Sequence, residues 1–305
     1  MNNSGHKSAT SETSHYEVSA FTREMIDNVA RDHYSLYSWK TLLLQSWDRS
    51  LEDIKKSPAR MRSCWSWVVI VAATGAGIIL LTATLQTPER ALIAVALWLP
   101  WYAGAVFFLL THLGMVDDSH GMPHQSLLLP NGLSFSRLAL SPLVLWPCLQ
   151  VPVYPVVGTV FALFLAGLSL SDLLDGWVAR SQKHGTRMGR MLDFLADAAF
   201  LTFLAVGLYL AGVIPGTLLL LLVVRYPVLL FGMLVMYFVR RPVPLRTTFI
   251  GRAATFVTSV VLLVIASKIL LMTSWPTPLI IDWSIRVLYV LIAANILYLI
   301  NRAAA

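Results

Sequence analysis

Charge is scarce in this chain. Only 13% of its 305 residues are Asp, Glu, Lys or Arg, against about 25% in a soluble globular domain. That shortage excludes an ordinary water-soluble fold. With 57% hydrophobic residues and a mean hydropathy of +0.68, it calls for several membrane spans. Cysteine is nearly absent too: Cys64 and Cys148 offer neither a disulfide framework nor zinc-ligand spacing. The net charge of +7 comes without a nucleic-acid-binding motif, so nucleic acid is not expected as a partner and the cations are assigned to loops beside anionic lipid. The opening residues, MNNSGHKSATSETS, are polar, and no cleavable signal peptide is expected there.

What the chain does have is long apolar runs. A span takes about 20 residues to cross roughly 30 Å, and candidates fall at 65–85, 91–115, 134–151, 154–178, 191–213, 215–239, 253–273 and 279–300. The third contains Pro142 and Pro147, which a span tolerates where neighbours satisfy the freed carbonyls. The expected fold is an all-α polytopic membrane protein in three parts. Residues 1–64 form a cytoplasmic polar and amphipathic segment, 65–115 two extra transmembrane helices, and 116–305 a six-span domain. Apolar spacing from Phe21 to Ile54 predicts one or two amphipathic helices, packed on the protein or lying in the headgroups through Trp39 and Trp47. Lys55, Lys56, Arg60, Arg62, Lys183, Arg187, Arg190, Arg240, Arg241, Arg246 and Arg302 collect on one side. The positive-inside rule then puts both termini in the cytoplasm of a multi-pass protein, expected in a bacterial inner or plasma membrane. The 116–130 loop fits poorly, holding Asp117 and Asp118 and no Lys or Arg. His112 is expected as a hydrogen-bonded structural residue.

Four acids break the apolar pattern, in SDLLDGWVARSQKHGTRMGRMLDFLADA from Ser171 to Ala198. Asp172 and Asp175 are three apart, Asp193 and Asp197 four apart, so each pair shares a helix face. Asp175 and Asp193 each lie nine residues from His184, and Asp172 and Asp197 lie 12 and 13 away. A hairpin turning at His184–Gly185 brings the pairs to matched depth, at most roughly 14–20 Å from the turn. A lone carboxylate in lipid costs about 2.5–3.5 kcal/mol even on lenient insertion scales. The acids either share protons, as in a relay, or bind divalent cations of the Mg²⁺, Mn²⁺ or Ca²⁺ type. Gly176 and Gly189 leave room for a ligand and Arg180 supplies a fork suited to phosphate. These residues favour metal with a diphosphate.

Written as a pattern, the stretch is Asp-x2-Asp-Gly-x2-Ala-Arg-x8-Gly-x3-Asp-x3-Asp, made by Asp172, Asp175, Gly176, Ala179, Arg180, Gly189, Asp193 and Asp197. It resembles the CDP-alcohol phosphatidyltransferase family, over about 128–300. The resemblance implies a six-helix core that transfers a phosphatidyl group from CDP-diacylglycerol to an alcohol and releases CMP. It implies that Asp172, Asp175, Asp193 and Asp197 hold two divalent ions, Mg²⁺ or Mn²⁺, and that Asp197 also deprotonates the attacking hydroxyl. Gly176, Ala179 and Gly189 would make room for the cytidine nucleotide and Arg180 would contact it. PNGLSFSR (Pro130–Arg137) is similar to the family's Pro-Asn-x-Leu-Thr-x-x-Arg, with Ser134 in place of Thr. Asn131 and Ser134 would then reach the nucleotide; the alternative is a helix start capped by one of them. GRAAT (Gly251–Thr255) resembles a Gly-Lys-x-x-Thr element with Arg252 in place of Lys, and Arg225 lies inside the sixth span.

The order Arg225, Arg240–Arg241, then RTTFIGRAAT is most like the branch that makes phosphatidylglycerophosphate or cardiolipin. The acceptor implied is glycerol 3-phosphate or phosphatidylglycerol, its phosphate bound by Arg187, Arg225, Arg240, Arg241 and Arg252. Where that branch reads Asp-Pro-Leu-Ala-Asp-Lys this chain reads DFLADA, with Ala198 in the Lys position. Inositol phosphate is the alternative acceptor, served by Arg187 and Arg190. The partners implied are CDP-diacylglycerol, the acceptor, membrane lipid and a second copy of the chain. Outside the family, an ion or proton transporter would use the carboxylates as a relay. It would need buried charges toward the outer face, where the chain offers little beyond Lys268 and Arg225.

Overall fold

Proline opens four of the eight described helices, at the position where a missing N–H breaks no intrahelical bond. The computed structural model describes residues 58–85, 88–113, 126–145, 155–182, 186–225, 249–271 and 277–304, with single positions between 28 and 55. It contains α1 (Pro58–Leu85), α2 (Pro88–Thr111), α3 (Leu129–Leu140), α4 (Pro155–Gln182), α5 (Arg187–Leu210), α6 (Gly216–Arg225), α7 (Phe249–Leu270) and α8 (Pro278–Ala304). No strand occurs among the described residues. Among the described residues four stretches are long and apolar enough to cross a bilayer: Pro58–Leu81, Ala91–Thr111, Met191–Leu210 and Pro278–Leu297. Leu80, Leu92 and Val290 stand largely exposed on these helices, as side chains facing lipid do. The protein is an integral, all-α membrane protein, as its shortage of charge requires.

Two expected spans begin earlier than their apolar runs. α1 starts at Pro58 rather than 65. Arg60, expected as a loop cation, lies in its first turn, 5% exposed, with Nη1 donating to Leu113 O at 3.3 Å. The third span, expected over 134–151, begins at Leu129 and leaves α geometry after 12 residues. Helical backbone resumes at Leu145, the last described residue of this stretch. Pro142 is the cause of the break. It has no N–H, and its ring excludes the carbonyl four residues back. The backbone tightens into a 3-10 turn over Ser141–Val144. Leu138 O thereby loses its i+4 donor, and Ala139 O the i+3 donor that tighter winding would use.

α2 replaces those donors. Trp101 Nε1 donates to Leu138 O at 2.8 Å, and Trp98 Nε1 to Ala139 O at 3.1 Å. α1 holds the other end of α3, where Ser63 Oγ donates to Leu127 O at 3.3 Å. The Trp67 ring lies so close over Gly132 that a Cβ there would come within 2.0 Å of it. Within the hairpin, Trp98 fills the space left by Gly75, stacks on Tyr102 at 4.9 Å, and Tyr102 Oη donates to Val68 O at 2.7 Å. α3 in turn packs against both α4 and α5.

The remaining helices are tied by sparse polar contacts. Gly212, at φ 73°, closes α5 in the left-handed conformation that glycine adopts most readily. Thr217 of α6 hydrogen-bonds Tyr289 of α8, and Arg225 at the end of α6 donates to Thr255 Oγ1 of α7 at 2.9 Å. His112 is the structural residue expected: Nδ1 lies 2.9 Å from Phe108 O, and the ring stacks on Phe108. Trp47 stacks on Phe107 of α2 at 5.4 Å, so this part of the N-terminal segment packs on the protein. Trp39, Asp117 and Asp118 lie outside the described residues.

Gly132→Ala should destabilise the protein by about 1–3 kcal/mol, the usual cost of overpacking, read as a lowered thermal midpoint in detergent. Adding Trp67→Phe should recover part of the loss. An unchanged midpoint for Gly132→Ala would show that α1 does not seat on α3 at this point.

Candidate active site

Asp193 and Asp197 lie one turn apart on α5 and meet the same cation. Arg137 Nη2, from α3, donates to Asp193 Oδ1 at 2.8 Å and stands 2.9 Å from Asp197 Oδ1. The burial is unequal: the Arg137 side chain is 1% exposed, Asp193 49% and Asp197 30%. The cation is therefore inside and the two acids are at a rim that a ligand can reach. A buried guanidinium without a counter-charge would cost several kcal/mol, so the pairing also fixes how α3 and α5 meet. Leu192, Ala196 and Ala199 form the buried face of α5 beside the acids, and Ala139 is buried on α3. The small side chains of the three alanines allow helices to approach closely. The four-residue spacing of the acids is what lets one nitrogen touch both.

A second contact orders the turn into α5. Thr186 is the N-cap: its Oγ1 accepts from Gly189 N–H at 2.9 Å and donates to Asn131 Oδ1 at 3.1 Å. A Cβ at position 189 would lie 2.5 Å from Asn131 Oδ1 and 2.9 Å from Thr186 Oγ1. Gly189 thus has a packing role, letting α3 and the α5 N-terminus close on each other. Asn131 is 2% exposed, and its Nδ2 is buried with no hydrogen-bond partner among the described residues. Ser134 donates to Pro130 O at 3.1 Å. Neither residue caps α3, whose N-cap is Leu128 with no side-chain hydrogen bond, so the alternative of a capped helix start is set aside.

The other expected site residues are placed less fully. Asp172, Asp175, Gly176, Ala179 and Arg180 lie on α4, Arg187 opens α5, and Arg252 lies in the first turn of α7. For these the description stops at the backbone. Arg240 and Arg241 lie outside the described residues. Arg225 is 3% exposed and engaged with Thr255.

Arg137 and Thr186 are the residues that sequence reasoning passed over. Arg137 carried a signal: it is the only Lys or Arg between Arg90 and Arg180, and a lone cation in an apolar stretch marks a site by default. Thr186 carried a weaker one, as a threonine three residues before Gly189 at a helix start. Among the described residues no group of three His, Cys, Asp or Glu side chains forms a metal site. Asp193 and Asp197 supply two reachable carboxylates, and α4 carries two more. Oxygen donors of this kind suit hard divalent cations such as Mg²⁺ or Mn²⁺ better than zinc, which favours His and Cys ligands.

A family profile for CDP-alcohol phosphatidyltransferase matches residues 127–297, more than half of the chain, and the chain belongs to that family. It is 34% identical over 142 residues to the cardiolipin synthase (CMP-forming) of Streptomyces coelicolor, covering 46% of this chain and 66% of that protein. It is 49% identical over 74 residues to the CDP-diacylglycerol–glycerol-3-phosphate 3-phosphatidyltransferase of Aquifex aeolicus, covering 24% and 39%. With the human cardiolipin synthase (CMP-forming) it shares 39% over 88 residues, covering 28% of each. The chain therefore spans less than two thirds of the length of each relative. No solved structure matches it.

Arg137 has two partners, so either acid alone can hold it. Asp193→Asn should leave the thermal midpoint near that of the unaltered protein. Asp193→Asn with Asp197→Asn should destabilise by about 3–5 kcal/mol, the cost of stranding a buried charge. Equal midpoints for the single and double variants in detergent would remove Arg137 from this role.

Proposed function

We propose that the protein transfers a phosphatidyl group from CDP-diacylglycerol to a glycerol-type alcohol, glycerol 3-phosphate or phosphatidylglycerol, and releases CMP. The observation that carries this reading is the Arg137–Asp193–Asp197 cluster, whose two acids close an eight-position motif from Asp172 to Asp197. The family and the names of the Streptomyces and Aquifex relatives support the donor and the acceptor class.

In this reading Asp172, Asp175, Asp193 and Asp197 hold two divalent ions, Mg²⁺ or Mn²⁺. When bound, such ions offset the diphosphate charge and stabilise the departing CMP. Arg137 holds Asp193 and Asp197 one turn apart at the rim, so that neither swings away when the site is empty. Asp197 takes the proton of the attacking hydroxyl. Arg180 contacts the nucleotide as a planar donor fork. The buried Nδ2 of Asn131 gives the nucleotide a donor, with Ser134 beside it. Gly176 and Ala179 leave space on α4 for the ligand, while Gly189 at the start of α5 makes room for Asn131 and Thr186. Arg187, Arg225, Arg240, Arg241 and Arg252 hold the acceptor phosphate.

The domain division at 64 and 115, a cytoplasmic site with both termini on that side, and a dimer belong to the same proposal. They rest on loop charge and family likeness.

The test is CMP release by the full chain in lipid vesicles. CMP should appear with CDP-diacylglycerol plus glycerol 3-phosphate or phosphatidylglycerol. It should stop on chelation, return with Mg²⁺ or Mn²⁺, and be lost in Asp197→Asn. Release that requires inositol phosphate would correct the acceptor. No release with any of these alcohols would refute the activity.

A further inference from the structure

The two N-terminal spans lie outside the 127–297 match, yet they make some of the most specific contacts in the fold. Arg137 sits one residue before Leu138 and two before Ala139, the carbonyls that an N–H at position 142 would serve in α or in 3-10 geometry and that proline there cannot. In a lipid environment no water replaces a missing donor. The replacements are the two indole N–H groups of α2, at 2.8 and 3.1 Å. Trp98 is 6% exposed and held in the space above Gly75. Trp101 also meets the Phe203 ring edge-on at 5.0 Å, so one indole touches both α3, which carries the cation, and α5, which carries the acids.

We propose that Trp98 and Trp101 are positioning residues for the active centre. By donating to Ala139 O and Leu138 O they fix the last turn of α3, and with it Arg137 between Asp193 and Asp197. The α1–α2 hairpin is in this sense a working part of the site and not only an added anchor. The catalytic consequence rests on the proposed phosphatidyl transfer; the structural consequence does not.

The test uses the full chain in vesicles with Trp98→Phe, Trp101→Phe and Pro142→Ala. Phenylalanine keeps a ring and removes only the N–H. Alanine at position 142 returns a backbone N–H to Leu138 O. Trp101→Phe should lower kcat about tenfold with KM for CDP-diacylglycerol held within about twofold, the pattern of a displaced catalytic group. In the Pro142→Ala background the same substitution should have little effect. Amide exchange read by mass spectrometry should follow: faster over 137–141 in Trp101→Phe and in Trp98→Phe, and restored by Pro142→Ala in the former. A Trp101→Phe loss equally large with and without Pro142 would overturn the proposal, because ring packing would then explain it. So would exchange in both phenylalanine variants that matches the unaltered protein. A chain that releases no CMP, yet whose exchange depends on the indoles and is rescued by alanine, would refute the activity while leaving the clamp intact.

Discussion

One buried guanidinium organises the centre of this protein. Arg137 is enclosed by α3 and its neighbours, and its two counter-charges belong to another helix. A charge so placed cannot be solvated, so every arrangement in which α3 drifts away from α5 is costly. The same contact answers a second difficulty. Two carboxylates one turn apart repel, and a single nitrogen between them offsets that repulsion before any metal arrives. The rim exposure of the acids follows from the geometry, since the cation approaches from the interior and leaves their outer side toward ligand.

The position of Arg137 depends in turn on how α3 ends. Pro142 turns the backbone from α to 3-10 geometry shortly after the cation, which would be a defect in a membrane if a freed carbonyl stayed unpaired. Trp98 and Trp101 turn that defect into an attachment point. Other contacts repeat the logic at the start of the helix: Ser63 reaches Leu127 O, and Trp67 occupies the space that Gly132 leaves. At the far side, Thr186 joins the start of α5 to Asn131 of α3. α3 is short, but it is held at both ends by side chains from other helices.

Much of this was legible in the sequence, and for definite reasons. Apolar runs of span length and the rarity of charge fixed the all-α membrane class. The spacing of Asp193 and Asp197 announced a shared helix face, and the structure places both on one cation. Pro142 announced a disturbed span, but not where the replacement donors would come from, because Trp98 and Trp101 lie about 40 residues away and indole donors have no sequence period. Arg137 was visible as an isolated cation, but its partners were not, since a pairing between helices is a tertiary fact. Arg60 misled for the opposite reason: its clustering with Lys55, Lys56 and Arg62 reads as a solvated loop, yet a carbonyl at the end of α2 draws it inside. Gly189 was read as space for a ligand, and the structure adds a packing partner that spacing alone cannot reveal.

The most direct measurement of the central claim is an experimental structure of the full chain in lipid with Mn²⁺ and CMP, using the anomalous signal of manganese. The account predicts manganese between the carboxylates of α4 and α5, with Arg137 still within hydrogen-bond reach of Asp193 or Asp197. Carboxylates of the two helices facing different directions, or Arg137 turned away from both acids, would contradict it.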